Sequence, residues 1–173
     1  MASSAFSMVL ATTSVRSVLV YRLGVLHEFL TAVFFSGAAD AAGEASIASF
    51  VARHNASPDD ATFLRSLPAS FWHALPRDSF EHELSRMDED LKAQPLFPLT
   101  LAQPLPARLL ETIGAWVRQE IGRDLLVDVA IDPSVVAGCR FVWRDHLHDF
   151  SFPHLIASQS TALAAMAAQS AAS

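Results

Sequence analysis

The densest group of potentially reactive side chains is Asp145-His146-Leu147-His148-Asp149, with His154 close behind. On an extended strand side chains alternate between faces, so His146 and His148 point the same way, as two imidazole ligands of a metal would. Asp145 and Asp149 fall on the opposite face or in the turn, and no third ligand of fixed position is apparent. The plainer reading is a polar, solvated hairpin edge whose charges discourage edge-to-edge pairing. His27, His54, His73 and His82 are scattered, and none forms an H-x-x-x-H pair.

Other routes to chemistry have less material. Cys139 is the single cysteine, which excludes an intramolecular disulfide and a multi-cysteine zinc site. It lies between Ala137 and Phe141 on an apolar strand face, the setting of a buried inert thiol rather than a nucleophile. G-x-S-x-G, G-x-x-x-x-G-K and G-x-G-x-x-G are all absent, and six glycines leave little for a phosphate-cradling loop. Glu81, Glu83, Asp88, Glu89 and Asp90 form the wet face of a helix. No catalytic, cofactor-binding or metal-binding residue is assigned, and the chain is not expected to be an enzyme by itself.

The net charge is -6 and Lys92 is the only lysine, a poor basis for a phosphate-binding face, so no nucleic-acid partner is expected. Hydrophobic residues make up 51% and charged residues 17%, enough to build a sizeable core. The most apolar stretch, Val18 to Phe35, is interrupted by Arg22, His27 and Glu28, short of the roughly 20 uncharged residues of a membrane span. Any membrane attachment is expected to be indirect. The acid-poor start faintly resembles an organellar transit peptide; the alternative is the entry into a first helix.

The elements that must position these groups divide in two. Apolar residues recur at helical spacing over 15–35, 44–54 and 80–91, and Ser57-Pro58-Asp59-Asp60 is a helix start in which Ser57 caps. Ala69 to Leu75 is a short helical piece, and Asp78 with Glu81 has the spacing of a capping box. Pro95, Pro98, Pro104 and Pro106 then mark an extended, apolar connector and a domain boundary. Beyond it Leu109, Leu110, Ile113, Trp116, Val117 and Ile121 predict the buried face of one helix. Alternation predicts strands over 125–131, 139–143 and 147–150, with a hairpin tip at Arg144-Asp145-His146. Ser151 caps a last helix. The fold expected is α+β, mainly α: a bundle of short helices over 1–93, a connector over 94–106, a small helix–β-hairpin–helix unit over 107–157, and a flexible Ala/Ser-rich tail over 158–173.

The string Ile131-Asp132-Pro133-Ser134-Val135-Val136-Ala137-Gly138, the following strand and the step Asp149-Phe150-Ser151 resemble the C-terminal part of the delta subunit of F-type ATP synthases. That family is called the oligomycin-sensitivity-conferring protein in mitochondria. The segment Phe97 to Leu105 is similar to the family's extended stretch ahead of the helix. Asp132 can accept bonds from its own turn, Pro133 presets the next φ, and Gly138 permits a close approach closed to other residues. These family-motif residues, Asp132, Pro133, Ser134, Gly138, Asp149 and Ser151, therefore set shape rather than do chemistry. The chain departs from the pattern at Ala137, where the family has a glycine, and in lacking basic residues after Arg144.

The resemblance implies a non-catalytic subunit, without cofactors, that joins the catalytic head to the peripheral stalk and couples proton transport to ATP synthesis. Its partners would be the N-terminal helices of alpha subunits, held in grooves of the bundle, and a b-type stalk subunit. Val135, Val136 and Leu155 are the candidate contacts for the second partner. The expected location is peripheral, on the cytoplasmic face of a bacterial plasma membrane, with an organellar inner membrane as the alternative. A metal-dependent enzyme using His146 and His148, and an unrelated helical adaptor, are the competing readings.

Overall fold

A computed structural model describes residues 4–35, 43–54, 56–75 and 77–159; most of the tail expected over 158–173 lies outside them. The protein is α+β and mainly α. Helices α1 (Ser4–Leu10), α2 (Arg16–Phe35), α3 (Glu44–His54), α4 (Pro58–Ser66), α5 (Ala69–His73) and α6 (Phe80–Ala93) form a bundle. Strand β1 (Leu96–Leu101), helix α7 (Ala107–Glu120), strands β2 (Leu126–Ile131), β3 (Cys139–Trp143) and β4 (His146–Asp149), and a helix over 152–159, here α8, form the second unit.

Helix α2 is the axis of the bundle. By length and composition it could cross a membrane, but here Leu19, Leu23, Leu26, Phe29, Leu30 and Val33 are buried against the other helices. Burying one such side chain contributes about 1.5–3 kcal/mol. The Phe29 ring meets Phe50 and Trp72 edge-on at 5.3 and 5.6 Å, the arrangement favoured by the ring quadrupole. Ala5, Phe6 and Val9 are buried too, so the acid-poor start is part of the core as α1.

Of the expected helix starts, the one at Ser57 is realised in full, whereas the Asp78–Glu81 box is not, and the Ser151 side chain bonds Asp149 rather than a helix N–H. Ser57 caps α4 in a full capping box, accepting from the Asp60 N–H while Asp60 accepts from the Ser57 N–H. Asp78 and Glu81 form no such box. Helix α6 begins after Ser79, whose backbone (φ -133, ψ 10) is not extended and whose side chain makes no cap bond.

The stretch read as a connector is itself an inner strand. The sheet order is β2-β1-β3-β4, with β1 parallel to β2 and antiparallel to β3. The Leu126 N–H bonds the Pro95 carbonyl and the Asp132 N–H bonds the Leu101 carbonyl, so the backbone polar groups of odd-numbered residues in β1 point to β2 and those of even-numbered residues to β3. Pro98 therefore lacks its N–H on the β3 side, beyond Leu99↔Phe141, where the β1–β3 pairing ends.

Two cores result. Phe97, Leu99, Leu101, Val117, Leu125 and Val127 pack between α7 and the sheet, while Leu126, from the other face of β2, enters the bundle core. Leu126→Ala should therefore lower stability by about 2–5 kcal/mol in urea unfolding. A loss below about 0.5 kcal/mol, the usual range for surface positions, would contradict its place in the bundle core.

Candidate functional site

The family-motif residues converge at the base of the β3–β4 hairpin. Asp132 Oδ1 accepts the Ser134 N–H at 2.9 Å, and Pro133 opens a single 3-10 turn ending at Val135. Asp149 repeats the device: its Oδ1 accepts the Ser151 N–H at 2.8 Å. Arg140 stands directly across from Asp149 in the β3–β4 register and joins the two turns. Its guanidinium lies 3.7 Å from Asp132 Oδ2 and 3.9 Å from Asp149 Oδ2, and it donates to Ser134 Oγ at 3.2 Å. These groups are part-exposed and screened by water, so the pairings add little stability and act mainly to fix geometry.

The same contacts hold both carboxyls below the ordinary aspartate value. For Asp132 the cause is the Ser134 hydroxyl, then its N–H and Arg140. For Asp149 it is the Ser151 hydroxyl, then its N–H, Arg140 and His154.

Gly138 closes the site. Its φ is +86, and a Cβ there would collide with the Phe150 carbonyl oxygen and lie 3.1 Å from the carbonyl carbon. The chain leaving β4 is bonded on both sides of this glycine: the Phe150 N–H donates to Cys139 O and the Phe152 N–H to Ala137 O, both at 2.9 Å. Ser151 is buried at the turn, and its carbonyl accepts the Leu155 N–H at 3.0 Å, starting α8.

Helix α8 leaves this anchored base with its residues 152 to 159 all exposed. Phe152, Leu155 and Ile156 follow the i, i+3, i+4 spacing of one helical stripe, and Phe150 and Val136 are exposed as well. Of the three residues expected to touch a partner, Leu155 is 44% exposed and Val136 63%. Val135 is 0% exposed and cannot serve, because the 3-10 turn aims it inward toward β1.

Val136 itself is strained. With φ 62 and ψ -57 it forms a three-residue turn, in which the Ala137 N–H reaches Val135 O at 2.7 Å. A β-branched residue rarely adopts this conformation, which costs about 1–3 kcal/mol. The strain holds an exposed apolar side chain beside α8's anchoring point.

The remaining candidates are elsewhere engaged. Arg144 and Asp145 form the two-residue hairpin tip with φ 50 and 63. The His148 ring stacks on Phe141 at 4.9 Å. Among the described residues no group of three or more His, Cys, Asp or Glu side chains is placed to hold a metal ion. Burial pushes the Cys139 thiol up, and the Asp149 charge adds to this. Leu109 and Trp116, expected in the buried face of α7, are exposed; the helix meets the sheet through Leu110, Ile113, Val117 and Ile121.

On the bundle, Val20, Leu23, Gly24, His27, Leu84, Asp88 and Leu91 line an open groove of about 320 Å³ between α2 and α6. No protein-family model and no curated protein matches the chain.

A positive φ at both Val136 and Gly138 predicts opposite outcomes for opposite substitutions there. Gly138→Val should lower stability by about 2–4 kcal/mol, through a positive φ and a collision with the Phe150 carbonyl. Val136→Gly should raise it by about 1 kcal/mol by releasing strain. Denaturant midpoints check both, and shifts of the same sign would contradict this backbone geometry.

Proposed function

We propose that the chain is a delta-type subunit of an F-type ATP synthase, a non-catalytic bridge between the catalytic head and the peripheral stalk. The observation that carries this reading is helix α8, anchored through Gly138, Asp149 and Ser151 while Phe152, Leu155 and Ile156 remain exposed. A helix held rigidly at one end and apolar along its outer side is suited to pairing with another helix, as a stalk end would offer. The groove between α2 and α6 suits a second, helical partner, which in this reading is an alpha-subunit N-terminal segment.

Two surfaces on two cores make a bridge, and a bridge that resists torque needs binding rather than chemistry. In this reading the protein is peripheral on the cytoplasmic face of a bacterial plasma membrane and carries no cofactor.

Replacing Phe152, Leu155 and Ile156 together by Asp should leave the fold intact, since all three are exposed. Binding to the soluble domain of a b-type stalk subunit should weaken about 30-fold or more, as expected for loss of a hot spot of about 2 kcal/mol. Binding to an alpha-subunit N-terminal peptide should be unchanged. Calorimetric titration of both partners decides: undiminished stalk binding, or loss of both contacts with the fold preserved, would sink the two-surface bridge.

A further inference from the structure

The bundle and the sheet unit have separate cores, with Leu126 the buried residue that crosses from one to the other. The chain also passes directly from α6 into β1 through Gln94 and Pro95, and α2 packs on β2. A further connection is a short strap, residues 11–15, between α1 and α2. Glu111 of α7 receives it with both carboxylate oxygens. Oε1 accepts from Thr13 Oγ1 at 2.5 Å, and Oε2 accepts from the Ser14 N–H at 3.0 Å and the Ser14 hydroxyl at 2.8 Å. Thr13 and Ser14 are buried although polar, which is costly unless their bonds are made.

The strap then joins the sheet. The Val127 N–H donates to Ser14 O at 2.9 Å, and Val15 pairs with Val127 as a parallel bridge on the outer edge of β2. Arg16 reaches Asp128 at 3.1 Å, and Arg118 of α7 donates to both Leu10 O and Leu125 O. Gly114 makes the close approach possible: a Cβ there would collide with the Ser14 hydroxyl and lie 2.6 Å from its Cβ.

We propose that this strap is a latch that fuses the two units into one rigid body and sets the angle between the bundle groove and helix α8. Its contacts are directional and charge-assisted, so they fix orientation as apolar packing alone would not. They are also few and mostly outside both cores, so the latch can be opened while each unit stays folded. The inference concerns stiffness and stands whatever the partners are.

Pulsed electron paramagnetic resonance on the full chain tests it, with spin labels at Arg53→Cys on α3 and Leu147→Cys on β4 in a Cys139→Ala background. All three positions lie outside the strap and its receiving residues. The otherwise unsubstituted chain should give one narrow distance distribution. Gly114→Val, which wedges the strap out, should broaden or split it, with helical circular dichroism retained. Thr13→Val with Ser14→Ala removes the hydroxyl donors without adding bulk, and should broaden it as well. This pair decides the matter if Gly114→Val does not fold. A broad distribution before any latch substitution, or one still narrow in the Thr13→Val, Ser14→Ala chain, would overturn the latch.

Discussion

Strand β1 is bonded along both edges, to β2 on one side and β3 on the other, and the second unit depends on that pairing. Without it β2 and the β3–β4 hairpin are separate pieces, each too small to hold a core. With it, Phe97, Leu99 and Leu101 present one face to α7, and Leu126 on the paired strand turns the other way into the bundle. The cost of running proline through an inner strand is contained by register. Pro98 falls where the β3 ladder has already ended.

Local devices on the β3 side translate that scaffold into a presented surface. The two aspartate turns, the arginine between them and the glycine under the Phe150 carbonyl leave the chain one exit direction from β4. Helix α8 takes it and is covered by nothing in the described fold. In the proposed reading a partner covers these apolar groups, which lie together at the helix rather than scattered over the surface. The strained Val136 adds an apolar side chain at the helix base, where a relaxed turn would be easy to build with glycine.

How much of this could be read from the sequence depended on the range of each interaction. The Ser57 cap, the hairpin strands and the Asp132 turn involve residues a few positions apart, and were legible; that Asp149 repeats the Asp132 device was not. The place of β1 was not. Its prolines mask the strand pattern, and its parallel partner begins about thirty residues on, at Leu126. Periodicity marked Leu109 and Trp116 as apolar but could not say which arc of α7 meets the sheet. Val135 and Val136 look equivalent in sequence, and only the three-residue turn buries one and exposes the other. Arg140 was passed over because its two carboxylate partners belong to turns on either side of it. The three-residue tip expected at Arg144-Asp145-His146 would set it opposite Phe150; the observed tip is Arg144-Asp145 alone, His146 belongs to β4, and Arg140 faces Asp149.

The most direct measurement of the bridging reading is affinity capture of the tagged, full-length chain from detergent-solubilised membranes of its source cells, with the captured subunits identified by mass spectrometry. The predicted result is recovery of the alpha subunits of an F-type ATP synthase together with its b-type stalk subunit. The charge substitutions on α8 should remove the stalk subunit alone. Recovery of the intact chain with neither subunit would contradict the assignment.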